Sequence, residues 1–182
     1  MRLFTAISVP TKIHPTLQLL QNGLAGANWR PKENFHITLQ FYNEVEPHLV
    51  SALDDALQQI EFPVLSLRIC GLGTFGGKQP FVLWAGVDGV NKQDQIQLRE
   101  LAMNCLSAAK SAGIVLKSAK YTPHITLAYC KGARDSDIAQ YLQARNGFLP
   151  VEFSSNTFAL YQSKLGNHPA HYEIISQYER SE

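Results

Sequence analysis

The tetrapeptide His-Ile-Thr-Leu occurs twice, at His36–Leu39 and at His124–Leu127, and each copy lies in an alternating stretch. In the first, Phe35, Ile37, Leu39 and Phe41 form one row, and His36, Thr38 and Gln40 the other. In the second, Ile125, Leu127 and Tyr129 oppose His124 and Thr126. Period-two alternation of β-branched and aromatic residues predicts a strand with one buried face. Side chains two apart emerge on the same face, roughly 6.5–7 Å from each other. Each copy therefore sets an imidazole beside a hydroxyl on the face away from its own core. One His-x-Thr would be ordinary, because threonine suits strands on propensity alone. Two copies, 88 residues apart in a chain of 182, require more. Duplication accounts for repeated packing residues, but a core has no use for repeating the polar ones. Two facing pairs would bring two proton-transfer groups and two hydroxyl donors to one anionic centre.

The rest of the chain extends this pattern. Strands are expected at Leu3–Val9, Phe35–Tyr42, Val64–Cys70, Phe81–Val87, Val151–Leu160 and Tyr172–Ser176, besides the second motif strand. Helices are expected at about Lys12–Gly23, Pro47–Ile60, Gln93–Ala112 and Ser136–Gln143. The second of these rests on Leu49, Leu53, Ala56 and Leu57, an i, i+4, i+7, i+8 stripe. Helix, motif strand, helix and two strands recur in both halves, with no Pro-, Gly- or Ser-rich linker between them. The expected fold is thus a duplicated α+β unit forming a single domain over residues 1–182.

Composition narrows the function classes. A net charge of +1 lacks the basic excess of a general binder of long nucleic acid. Lys110, Lys117, Lys120, Lys131 and Arg134 nevertheless gather around the second motif, which suits a small anion or a chain end. No run approaches the ~20 apolar residues of a membrane span, and Met1–Pro10 reads as a first strand rather than a signal peptide. Three widely spaced cysteines suggest reduced thiols in a cytoplasmic protein. Gly71–Gly76 fits G-x-G-x-x-G, but a strand comes next where a dinucleotide site needs a helix, so it reads as a long hairpin loop. Gly77-Lys78 lacks the Ser/Thr that ends a phosphate loop. Nor do His36 and His124 bring the third ligand that a metal would need.

In these residues the chain resembles the two-histidine (2H) phosphoesterases. More specifically, it is similar to the bacterial and archaeal RNA 2′,3′-cyclic phosphodiesterases, historically called 2′-5′ RNA ligases. The likeness runs through Arg2–Ile7, Trp29–Leu39, Val82–Val87, Tyr121–Ala128 and Phe158–Leu165 followed by Tyr172. It implies two pseudo-symmetric lobes, each an antiparallel sheet flanked by helices, with one His-x-Thr-x motif per lobe facing a central cleft. It implies no metal or other cofactor, RNA 3′ ends or nucleotides bearing a 2′,3′-cyclic phosphate as substrate, and a monomer without an obligatory partner. It makes His124 the general base, His36 the general acid, and Thr38 and Thr126 donors to the phosphate. Many relatives carry Arg five positions after the second motif histidine; this chain has Tyr129 there, and Lys131 offers a point charge two positions on.

Around that centre, Tyr121, Lys131 and Lys78 are expected to contact phosphate or sugar. Phe41, Tyr161, Trp29 and Phe75 are expected to stack a base, Trp84 to lie in the core, and His14, His48, His168 and His171 to be surface residues. Two alternatives stay open: a related 2H enzyme acting on 2′-5′ oligoadenylate, a 3′ oligouridine tail or a small nucleotide cyclic phosphate, or a non-catalytic binder of RNA ends.

Overall fold

A computed structural model describes residues 1–77, 79–116, 120–145, 147–164 and 171–180. Lys78, Lys117 and His168 lie outside these. The strands are β1 (Arg2–Ser8), β2 (Asn28–Trp29), β3 (His36–Glu44), β4 (Leu65–Phe75), β5 (Val82–Gly89), β6 (His124–Tyr129), β7 (Val151–Ser155), β8 (Thr157–Lys164) and β9 (His171–Glu179). The helices are α1 (His14–Leu19), α2 (Val50–Gln58), α3 (Lys92–Ser111) and α4 (Asp135–Ala144). The α+β class holds, with every strand pair antiparallel.

The strands run in the order β7-β4-β5-β6-β3-β1-β8-β9, with β2 attached to β6. The two motif strands are central neighbours, joined through one assigned pair, Ile37 with Ile125. Each half of the sheet has four strands: β6, β5, β4 and β7 on one side, β3, β1, β8 and β9 on the other. These halves are not the halves of the sequence. The two strands after α2, β4 and β5, join the half that carries the second motif, and β8 and β9, after α4, join the half that carries the first. Exchange of two strands each way ties the repeats together, which explains the absence of a linker.

Ile37 and Ile125 are both fully buried, each worth about 1.5–3 kcal/mol of apolar transfer. They lie on the core face, where α3 packs across β3, β4 and β5. A buried polar link pins that layer: the Tyr42 hydroxyl is 3.0 Å from Thr5 Oγ1 and donates to the Cys105 carbonyl at 3.4 Å. Cys105 and Cys130 are buried, Cys70 is half-buried, and all three are free thiols. Among the described residues no helix is long and apolar enough to cross a membrane.

Four expectations change. The first helix is short, a 3-10 turn at Thr11–Ile13 and then α1, because Pro15 suits only a first helical turn. The stretch Gly71–Phe75 is strand, not loop; the ladder slips between Ile69 and Leu72, and Gly71 takes φ +67° there. Val151–Leu160 falls in two strands in opposite halves of the sheet, broken at Asn156. The first motif strand also loses its simple alternation, since its pairing with β1 skips twice, past Leu39 and past Tyr42. An extra residue at a bulge re-aims the side chains beyond it, so Tyr42 is buried and Phe41 is 55% exposed.

Candidate active site

Register explains how the motifs meet. In an antiparallel pair opposite residues share a face. Continuing from Ile37–Ile125 by one step each way sets His36 opposite Thr126 and Thr38 opposite His124. All four are half-buried, whereas the intervening Ile37, Leu39, Ile125 and Leu127 are buried. Thr38 and His124 line one cavity of about 390 Å³, as this register requires. The expected pairing of each imidazole with a hydroxyl thus acts across the sheet as well as along each strand.

Both imidazoles are held in the same way. His36 Nδ1 lies 2.7 Å from the Asn34 carbonyl, and His124 Nδ1 lies 2.7 Å from the Thr122 carbonyl. A carbonyl can only accept, so each Nδ1 carries the hydrogen and each neutral ring leaves an Nε2 lone pair. Aromatic rings frame each one. His36 is 5.0 Å from Phe4 and 5.2 Å, edge-on, from Tyr172. His124 is 4.8 Å, edge-on, from Phe75 and 6.1 Å from Trp84. The ladder sets small residues beside both rings: Ser8 opposite His36 and Gly86 opposite His124.

Burial lowers both pKa values. His36 is brought down to about 4, first by desolvation and further by the nearby His124 and Arg30, against the raising effect of the hydrogen bond it donates to the Asn34 carbonyl. His124 is lowered by desolvation, with the Thr122 carbonyl opposing. Both rings are therefore neutral in the free protein at pH 7, each able to accept a proton at Nε2.

The outer residues divide. Phe41 and Phe75 line the larger cavity with Met103, Leu106 and Lys120; Phe41 also lines a neighbouring one of about 280 Å³ beside Phe4, Tyr129 and Tyr172. Tyr121 lines the larger cavity, but its hydroxyl is buried without a hydrogen-bond partner among the described residues. Tyr161 is buried rather than free to stack a base: it lies on Phe4 at 5.1 Å, and its hydroxyl is 2.6 Å from Ser8 Oγ. Lys131 is exposed in the turn after β6 and lines neither cavity. Trp29 faces Tyr141 of α4, 6.1 Å away.

Trp84 is not core. It is half-buried opposite Thr126 and forms part of the bed under His124. His48 and His171 are exposed, but His14 is half-buried, with Nε2 3.0 Å from the Val9 carbonyl and its ring edge-on to Phe35. Among the described residues no group of three His, Cys, Asp or Glu side chains could hold a metal ion.

Two participants escape a reading by pattern. Asn43, with φ +56°, lines both cavities; asparagine tolerates this left-handed conformation better than most residues. Arg30 is 6% exposed, one residue beyond β2, and it influences His36 electrostatically. A cationic side chain at a nominal loop position gives no periodic signal. Its only sequence cue is its place six residues before the first motif.

Comparisons with known proteins agree with this geometry. Residues 7–84 and 89–171 match the family described as "LigT like Phosphoesterase". The RNA 2′,3′-cyclic phosphodiesterase of Thermotoga maritima is 31% identical over 173 residues, covering 91% of this chain and 88% of that protein. The protein of the same name from Aeropyrum pernix is 35% identical over 104 residues; the match spans little more than half of each, 57% of this chain and 57% of that protein. The crystal structure of E. coli LigT in apo form superposes with a TM-score of 0.78 at 22% identity, over 100% of this chain and 98% of that one, a likeness of fold. With the family matched across most of its length and one motif histidine on each central strand, this chain belongs to the LigT-like phosphoesterases of the two-histidine superfamily.

Proposed function

We propose that the protein hydrolyses 2′,3′-cyclic phosphate ends of RNA to a terminal 2′-phosphate, by paired histidine acid–base catalysis and without a metal. The observation that carries this reading is the matched pair of imidazoles, each tethered at Nδ1 by a backbone carbonyl and each leaving Nε2 for chemistry. His124 Nε2 takes a proton from water as its oxygen bonds to phosphorus. The bond from phosphorus to the ribose 3′ oxygen breaks in line, and His36 supplies the proton to that oxygen. Thr38 and Thr126 donate to the non-bridging oxygens, where preorganised donors stabilise developing charge. His36 reaches its acid form once the bound phosphate anion offsets the repulsion from its cationic neighbours. With a 5′ hydroxyl in place of water, deprotonated by His124 as the bond to the 3′ oxygen breaks and His36 protonates that oxygen, the same groups join a 2′,3′-cyclic phosphate to the hydroxyl through a 2′-5′ bond.

Support for RNA as substrate comes from the names of the relatives. The cavity of about 390 Å³, walled by Phe41 and Phe75 and rimmed by Lys120, suits one base beside the phosphate; stacking there is worth about 1–3 kcal/mol per base. The molecule acts as a single bilobal unit, a cytoplasmic monomer. The test is hydrolysis of an oligoribonucleotide ending in a 2′,3′-cyclic phosphate, in excess EDTA. A 2′-phosphate product at an undiminished rate is expected. No turnover, or turnover restored only by added metal, overturns the reading.

The bed under His124 gives a second check. A Cβ on Gly73 would lie 2.3 Å from the Trp84 ring, so the indole needs that glycine. Gly73→Ala displaces the ring and with it the support of His124. Overpacking of this kind costs about 1–3 kcal/mol, and a misplaced base lowers kcat roughly tenfold or more. Thermal melting and steady-state kinetics read both; an unchanged kcat would remove Trp84 from the support of His124.

A further inference from the structure

Arg30 is a buried cation with no carboxylate in salt-bridge reach among the described residues. Its guanidinium carbon lies 5.3 Å from the Tyr129 ring and 6.0 Å from the Tyr172 ring, and Nη2 reaches the Tyr172 hydroxyl at 3.5 Å. Burying a guanidinium against π faces and one long hydrogen bond leaves much of its desolvation cost without compensation. The backbone nevertheless fixes it there: Arg30 N donates to the Leu127 carbonyl at 2.8 Å, and Gln21 Nε2 donates to the carbonyls of both Arg30 and Leu127. The pairs Asn28–Tyr129 and Trp29–Ala128 extend to set Arg30 across from Leu127, beside the end of the second motif. Tyr172 links it to the other motif, since that ring also lies edge-on to His36.

We infer that Arg30 binds the non-bridging oxygens of the reacting phosphate, supplying beside the second motif the guanidinium that position 129, a tyrosine here, does not. The inference rests on the reading that the cleft takes a phosphate ester. Tyr129 then has a purpose of its own: it cannot bind phosphate as arginine would, but its ring is a face on which the Arg30 guanidinium lies, and such contacts orient the planar fork. Tyr129 and Tyr172, the two rings against the guanidinium, both line the cavity of about 280 Å³, and Tyr172 also lies edge-on to His36. Among the described residues the groups around Arg30 are His36, Tyr129 and Tyr172, with Arg2 on the cavity wall beside the two tyrosines. None of these is a carboxylate; the phosphate supplies the missing anion.

The experiment compares wild type, R30Q, R30K and the double variant R30Q/Y129R, each checked for folding by thermal melting. Hydrolysis of a 2′,3′-cyclic phosphate end is measured together with binding of inorganic phosphate, monitored by the His36 imidazole C–H resonance. R30Q should lower kcat/KM by about 10²–10³-fold, the loss typical of one oxyanion donor, and weaken phosphate binding roughly tenfold or more. In phosphate-free buffer its His36 should titrate at higher pH than in wild type, a shift that a merely structural role would not produce. R30K, charged but without the fork, should fall between, and it carries the test if R30Q does not fold. R30Q/Y129R should recover activity and phosphate binding. A folded R30Q within twofold of wild type in both readouts overturns the inference, as does a folded double variant that recovers neither. If wild type hydrolyses no cyclic phosphate yet binds inorganic phosphate through Arg30, the proposed reaction fails and this inference stands.

Discussion

Alanine at His36 or at His124 should lower kcat on a 2′,3′-cyclic phosphate end by about 10²–10⁴-fold, the usual worth of a positioned acid or base. The two losses should not add. In-line displacement needs one proton taken and one given, so removing either group disables the same step. The double variant H36A/H124A should then fall little below the worse single one. Packing permits the test, because both rings are half-buried on the cleft face and the core beneath is made by Ile37 and Ile125. A melting temperature near that of wild type separates lost chemistry from lost fold. Wild-type rates in the double variant would remove the histidines from the mechanism. A wild type without turnover, but with affinity for RNA ends, would point to a binder using the same cleft.

These four side chains were legible because a strand exposes alternate residues whatever surrounds it. The polar row of each motif could be read without knowing its neighbour, and so could the class of fold. Where β4 and β8 go was not legible, since local pattern is silent on the exchange of strands between repeats. Asn156 breaks the run from Val151 to Leu160 that reads as one strand; only the sheet shows that its two parts lie in opposite halves. Bulges defeat alternation in the same way. Phe41 belongs by parity with Leu39, yet the extra residues of β3 turn it toward the cavities and bury Tyr42 instead. Tyr161 shows the converse: an aromatic on the cleft face spends its ring and hydroxyl on Phe4 and Ser8 and has neither left for a base. Arg30 marks the limit of pattern, for its importance lies in its surroundings and not in its spacing.

The pH dependence should separate free enzyme from complex. In the proposed reaction one imidazole is charged and one neutral, so the rate should be greatest between the two apparent pKa values of the pair. In the free protein both are lowered, that of His36 to about 4, mainly by desolvation and then by His124 and Arg30. At pH 7 a group with that pKa is charged in about one molecule in a thousand, since three pH units are a factor of about 10³. The profile of kcat/KM, which reports the free enzyme, should therefore peak below the ordinary histidine value of about 6.5 and fall through neutrality. A bound phosphate anion favours the imidazolium and offsets the repulsion from Arg30, so both values rise in the complex. The profile of kcat should accordingly be displaced toward higher pH. Saturating and sub-saturating rates on one cyclic phosphate substrate, measured across about pH 4–9 at constant ionic strength, give both curves. Coincident curves, or a kcat/KM maximum above neutrality, would show that burial does not hold the histidines neutral before substrate arrives.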